Sequence, residues 1–123
     1  MKILIIEDEE ALALVLKEKF EVEGYSVSVA KNGEEGIDET RKWTPDIILL
    51  DLILPKKNGF EVLEILKGDP ELRPIPVVVL SNLGEDENIK KAIYLGAADY
   101  FVKSQHPIKE VVEKVKFQLS KGI

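Results

Sequence analysis

Five positions in this chain carry side chains that together suit the handling of a phosphoryl group. They are the adjacent carboxylates Glu7 and Asp8, the carboxylate of Asp51, the hydroxyl of Ser81 and the ammonium of Lys103. All lie just after short runs of strand-like sequence, residues 3–6, 47–50, 77–80 and 99–102. Three carboxylates brought to one place repel each other. A divalent cation that prefers hard oxygen ligands, Mg2+ or Mn2+, removes that repulsion. One carboxylate oxygen is then left to attack phosphorus, while the hydroxyl and the ammonium hold the phosphoryl oxygens. The product of such a step is an aspartyl phosphate.

Each of these residues also has a plainer explanation. Residues 7–10 fit a solvated helix start that complements the macrodipole. Asp51 can open a turn that runs through residues 52–55 to Asn58-Gly59. Ser81 can simply end its strand, and a lysine such as Lys103 is most often a surface residue. The recurrence of all of them at the same end of successive apolar runs is what separates the two readings.

The elements that must position these residues follow from periodicity. Residues 3–6, 47–50 and 77–80 are continuously apolar and branched, the pattern of strands covered on both faces. Weaker strands are predicted at 25–30, where apolar and small residues alternate, and at 99–102. Between the first two strands Leu12, Val15, Leu16 and Phe20 follow helical spacing, Gly24 supplies the stop, and residues 8–10 suit the first turn. Helices are predicted over 32–43, ended by Thr44-Pro45, and over 58–67, ended by Gly68-Asp69-Pro70. A fourth runs over about 85–95 with Ile89, Ala92 and Ile93 inward. The last starts at Pro107 and puts Ile108, Val111, Val112, Val115 and Leu119 on one stripe. Strict alternation of five strands with five helices demands right-handed crossovers, hence an α/β fold with a doubly wound parallel sheet. Ligands of such sheets bind at the carboxyl ends of the strands, where the five side chains lie.

With 123 residues and 45% hydrophobic content the chain can enclose one core, so a single domain spanning 1–123 is expected. Its net charge of -6 excludes nucleic acid or an anionic membrane as the main partner, since both need clustered positive charge. The absence of cysteine removes disulfides, thiolate metal sites and thiol nucleophiles. No apolar stretch approaches the roughly 18 residues of a membrane span, and a soluble, unprocessed, cytoplasmic protein is expected. No repeat, low-complexity segment or linker divides the chain.

Four motifs in order resemble those of response-regulator receiver domains of two-component signalling, over essentially the whole length. Residues 5–9, Ile-Ile-Glu-Asp-Glu, look like the family's acidic pair, and residues 51–59, Asp-Leu-Ile-Leu-Pro-Lys-Lys-Asn-Gly, like its phosphoacceptor loop. Val78-Val79-Leu80-Ser81 and Tyr100-Phe101-Val102-Lys103 look like the remaining two. The resemblance implies a flavodoxin-like (βα)5 fold with strand order 2-1-3-4-5. It implies that Asp51 accepts the phosphoryl group from a histidine kinase or histidine phosphotransfer protein. It further implies that Asp8 binds Mg2+ (or Mn2+) directly, that Glu7 does so mainly through water, and that the Ile53 backbone carbonyl completes the ligands. Ser81 would hydrogen-bond the phosphoryl oxygen, Lys103 would pair with it, and Tyr100 would change position when Ser81 is drawn inward. Such a domain assists its own phosphorylation and slow dephosphorylation and is not a turnover enzyme.

The chain departs from the family at several positions. Serine, not proline, follows Lys103, and a cis bond before Ser104 would cost about 2.5 to 4 kcal/mol, so a trans peptide is expected. Asn82 follows Ser81 where the family favours a small residue. Ile53 and Leu83 are apolar at positions that often guide the hydrolytic water, which implies a long-lived phosphorylated form. Tyr94 and Phe117 fall off the buried stripes of their helices and, with Tyr100, suggest an exposed aromatic face for a partner or a second copy. Against that stands the ordinary frequency of single exposed aromatics. His106 is assigned no role. The chain closes at Ile123 directly after the last helix, so no output domain is expected.

Three other readings compete. A haloacid-dehalogenase-type aspartyl-phosphate hydrolase needs a second acid two residues after the nucleophile, where this chain has Ile53. A flavin-binding module of the same topology needs phosphate donors after the first strand, where residues 7–10 are all acidic. Residues 32–36, Asn-Gly-Glu-Glu-Gly, are no dinucleotide fingerprint. A receiver-like binding module that works without phosphorylation is disfavoured by the intact set of site residues.

Overall fold

The computed structural model describes residues 1–121, so the last two residues of the expected 1–123 domain lie outside the described part. Ten elements alternate: β1 (Lys2–Ile6), α1 (Glu10–Val22), β2 (Ser26–Ala30), α2 (Gly33–Trp43), β3 (Ile47–Leu50), α3 (Gly59–Gly68), β4 (Val77–Ser81), α4 (Asp86–Tyr94), β5 (Asp99–Val102) and α5 (Ile108–Lys121). The strands form one sheet in the order β2-β1-β3-β4-β5, every pair parallel. This is the doubly wound, flavodoxin-like α/β architecture expected from the alternation.

Side chains of a strand point alternately to opposite faces, and this splits the interior into two apolar layers. Leu4, Ile6, Ile48, Leu50, Val77 and Val79 pack with Ile37, Val62, Leu63, Leu66 and Ala92 beneath α2, α3 and α4. Ile3, Ile5, Ile47, Leu49, Val78 and Leu80 pack with Leu16, Phe20, Val111, Val112, Val115 and Leu119 beneath α1 and α5. Both faces of the central strands are therefore dry, which explains why their sequences show no polar alternation.

Each of α2 to α5 begins one residue later than its sequence pattern suggests, and in α2 and α3 the reason is that Asn32 and Asn58 serve as caps. The Asn32 side chain accepts from the Glu35 N–H at 2.9 Å and the Asn58 side chain from the Glu61 N–H at 3.1 Å. Each satisfies an otherwise unpaired donor of a first helical turn. β2 also starts one residue late. The Tyr25 N–H donates to the Phe20 carbonyl and closes α1, while its ring lies edge-on to Phe20 with centroids 6.1 Å apart.

Two inward assignments are corrected. Val15 is 38% exposed and Ile93 47% exposed. Successive helical residues are rotated by about 100°, so with Leu16 and Ala92 buried to 0% their immediate neighbours turn toward the flank. On α1 the third inward position belongs to Ala13. The peptide bond before Ser104 is trans, as are all others among the described residues.

Candidate functional site

The sheet register brings the chemistry together. Ile6 is level with Leu50 on the neighbouring strand, so the next residues, Glu7 and Asp51, leave the sheet side by side. The N–H of Asp51 donates to the Ile6 carbonyl at 3.0 Å, and that of Glu7 to Ala30 at 2.9 Å. Ser81 is level with Val102, so Lys103 emerges beside it and its N–H donates to the Ser81 carbonyl at 2.9 Å.

Lys103 is the hub of the cluster. Its Nζ stands 2.9 Å from Glu7 Oε1 and 3.0 Å from Asp51 Oδ2, and both carboxylates are almost fully buried. The other Asp51 oxygen, Oδ1, accepts the Ile53 N–H at 3.1 Å. Glu7 Oε2 accepts the Glu9 N–H at 3.1 Å. Burial pushes the Glu7 carboxyl up to about 7, against the hydrogen bond from Lys103, with the nearby Asp51 charge adding to the rise. For Lys103 burial works downward, but the hydrogen bonds and charges of Glu7 and Asp51 outweigh it and hold the ammonium above its ordinary range.

Asp8 is exposed at the rim. Glu7, Asp8 and Asp51 each offer a carboxylate oxygen within 4.8 Å of the other two. Three carboxyl groups face one ammonium there, and such a set of hard oxygen donors fits Mg2+ or Mn2+.

Ser81 is fully buried, and its Oγ accepts the Leu83 N–H at 3.3 Å. The Tyr100 hydroxyl donates to the Leu83 carbonyl in a short hydrogen bond. Burial raises the phenol above its usual value, with Ser81 opposing through a hydrogen bond. Tyr100 thus points inward and links β5 to the segment after Ser81.

Of the residues singled out from the sequence, the buried Glu7 and Asp51 converge on the half-buried Lys103, with Asp8 exposed beside them, while the buried Ser81 neighbours Lys103 through the backbone and Tyr100 ties to the segment after it. Glu9 was not singled out. Its Oε1 lies 3.7 Å from Lys103 Nζ with the side chain 57% exposed. Its place in the acidic run was the available signal, but nothing in the sequence distinguishes it from Glu10. Nor could spacing reveal the Leu83 carbonyl as the acceptor for Tyr100, since any residue carries that group. Ile53 is 54% exposed, whereas Leu83 is half-buried against the α2–α4 layer. Of the aromatic trio, Tyr94 is 89% and Phe117 58% exposed, while Tyr100 is half-buried against the α2–α4 layer. His106 packs edge-on against Phe101, and its Nδ1 lies 3.1 Å from Glu110 Oε1, away from the cluster.

This combination of topology and site agrees with what the chain resembles. Residues 3–116 match the model of the response regulator receiver domain, and the chain belongs to that family. It is 33% identical over 121 residues, 98% of its length, to the phosphate regulon transcriptional regulatory protein PhoB of Rhizobium meliloti, of which the match covers 53%. The chain spans about half the length of the first such curated relatives. Among solved structures it is similar to the receiver domain of the Francisella response regulator 1452, with TM-score 0.91, 29% identity and coverage of 99% and 98% of the two chains. It is also similar to the Mn2+-bound form of the response regulator Rcp1, with TM-score 0.86, 29% identity and coverage of 96% and 94%. No helix among the described residues is long and apolar enough to cross a membrane.

Proposed function

We propose that this receiver domain takes a phosphoryl group on Asp51, in a reaction that depends on a divalent metal, from a histidine kinase or a histidine phosphotransfer protein in the cytoplasm. The observation that carries the reading is the Lys103 ammonium set between two buried carboxylates, with Asp8 open to solvent beside them. Asp8, Asp51 and the Ile53 carbonyl would hold Mg2+ or Mn2+, with Glu7 acting mainly through water. When bound, the metal supplies charge neutralisation for an otherwise self-repelling approach of phosphate to carboxylate.

An Asp51 oxygen attacks the phosphorus of the donor as the bond from phosphorus to the donor's leaving atom breaks, giving an acyl phosphate. Lys103 exchanges its contact with the Asp51 carboxylate for one with a phosphoryl oxygen. The Ser81 hydroxyl turns toward another oxygen, and Tyr100 in its inward position fills the space behind it. The domain is a switch and not a turnover enzyme. Ile53 and Leu83 offer no polar atom in their side chains to orient an attacking water, so the phosphorylated form is long-lived. Tyr94 and Phe117, with the edge of Tyr100, form the face that engages a partner or a second copy.

Intact-mass measurement after incubation with acetyl phosphate tests the reading. A single phosphoryl adduct is expected with Mg2+, absent without metal and absent in Asp51→Asn. After the donor is removed, the adduct on the wild type should outlast that on an Ile53→Asn, Leu83→Glu double variant. Equal decay would refute the long lifetime. No adduct under any metal would refute phosphorylation and favour a binding module that works without it.

A further inference from the structure

The loop between Asp51 and α3 holds itself together through local contacts. The Lys57 N–H donates to the Pro55 carbonyl at 2.8 Å, closing a three-residue turn around Lys56, whose φ of 67° is left-handed. A non-glycine residue in that region stores backbone strain. The Ile53 N–H is spent on Asp51 Oδ1, and the Gly59 N–H donates to the Leu52 carbonyl at 2.9 Å. No hydrogen bond among the described residues ties residues 53–57 to α2. What meets the loop there is Gly33, the first residue of α2.

A methyl group on Gly33 would stand 2.1 Å from the Lys57 carbonyl oxygen, 2.8 Å from its Cβ and 2.9 Å from its carbonyl carbon. Two of these three atoms are backbone, so one partner would have to move. α2 is the better anchored of the two. Asn32 caps it, Glu35 Oε2 accepts the Lys31 N–H at 3.1 Å, and Gly36 seats one turn further on against the buried Ile6 side chain. The loop is the part that yields. Displacing Lys57 shifts the strained turn and, through it, the Ile53 N–H that orients Asp51.

We propose that Gly33 is a positioning residue for the phosphoacceptor site: its missing side chain lets Lys57 close against α2, which holds Ile53 and Asp51 where they bind metal. The inference rests on the metal-dependent reading above. Gly36 provides the matched control. It is buried on the same helix, but the three atoms nearest a methyl there all belong to the Ile6 side chain, the first being Cδ1 at 2.6 Å, and none to the backbone.

The experiment is a Mg2+ titration of the wild type, Gly33→Ala and Gly36→Ala, followed by calorimetry and by amide NMR shifts. Gly33→Ala should raise the Kd for Mg2+ about tenfold, as a misplaced ligand set would, while Gly36→Ala stays within about twofold although it too loses stability. In the wild type the Gly33 amide should shift with the same Mg2+ midpoint as Ile53 and Lys57, a result independent of whether Gly33→Ala folds. A stationary Gly33 resonance, or equal effects of the two substitutions, would overturn the role of Gly33 and leave the metal site standing. A wild type that does not bind Mg2+ would overturn both.

Discussion

Glu7 sits 2.9 Å from an ammonium and still holds its proton more tightly than an ordinary carboxyl, because burial outweighs the ion pair. The consequence is a specific dependence of stability on pH in metal-free solution. Between the ordinary value of 4.5 and the folded value of about 7, the folded chain binds more protons than the unfolded one. The stability that protonated Glu7 contributes is complete below about 4.5 and is lost as pH rises through about 7. Glu7→Gln mimics the protonated form and lacks this loss. Urea unfolding in EDTA should therefore show the variant gaining on the wild type by on the order of 2 kcal/mol between pH 5 and pH 8. A constant gap across that range would mean that Glu7 ionises normally. The same proton competes with metal, so Mg2+ binding in the wild type should strengthen over this interval.

At the scale of elements, α4 is the helix least embedded in the fold. Ala92 is its only fully buried residue, while Ile93 and Tyr94 beside it face outward. A contact to α3 comes from Lys91, whose Nζ lies 4.4 Å from the centroid of the Phe60 ring. The helix is thus seated on one small side chain, and substitutions at two adjacent positions should differ sharply. Ala92→Leu forces new atoms into a filled site and should cost about 1–3 kcal/mol. Ile93→Ser removes an exposed side chain and should change stability by less than about 0.5 kcal/mol. Comparison of urea midpoints decides the point, and a large loss at Ile93 would place it in the core after all.

The molecule as a whole carries a net charge of -6, and most of its large apolar side chains are packed into the two layers. Tyr94 on α4 and Phe117 on α5 are among the exceptions. Exposed aromatics favour association once the surface around them is complementary. Light scattering of the chain treated with acetyl phosphate and Mg2+, with a candidate partner or alone, should show association that Tyr94→Ala with Phe117→Ala abolishes. An unchanged association would remove this face from the output.

The order of elements, the parallel sheet and the alignment of Glu7, Asp8, Asp51, Ser81 and Lys103 at one sheet edge were legible in the amino-acid sequence. Each depends on local periodicity or on the residue that directly follows an apolar strand, and both are properties of neighbouring positions in the chain. The structure decided what depends on distance through space. It turned Val15 and Ile93 outward, because a helical face is fixed by what it packs against and not by its own apolar content. It made Asn32 and Asn58 caps, set Glu9 near Lys103, and directed the Tyr100 hydroxyl to a backbone carbonyl that no side-chain pattern marks. It also placed Gly33 against Lys57. A missing side chain acquires meaning only from the atom that occupies its place, and that atom lies on a different element, brought there by the fold.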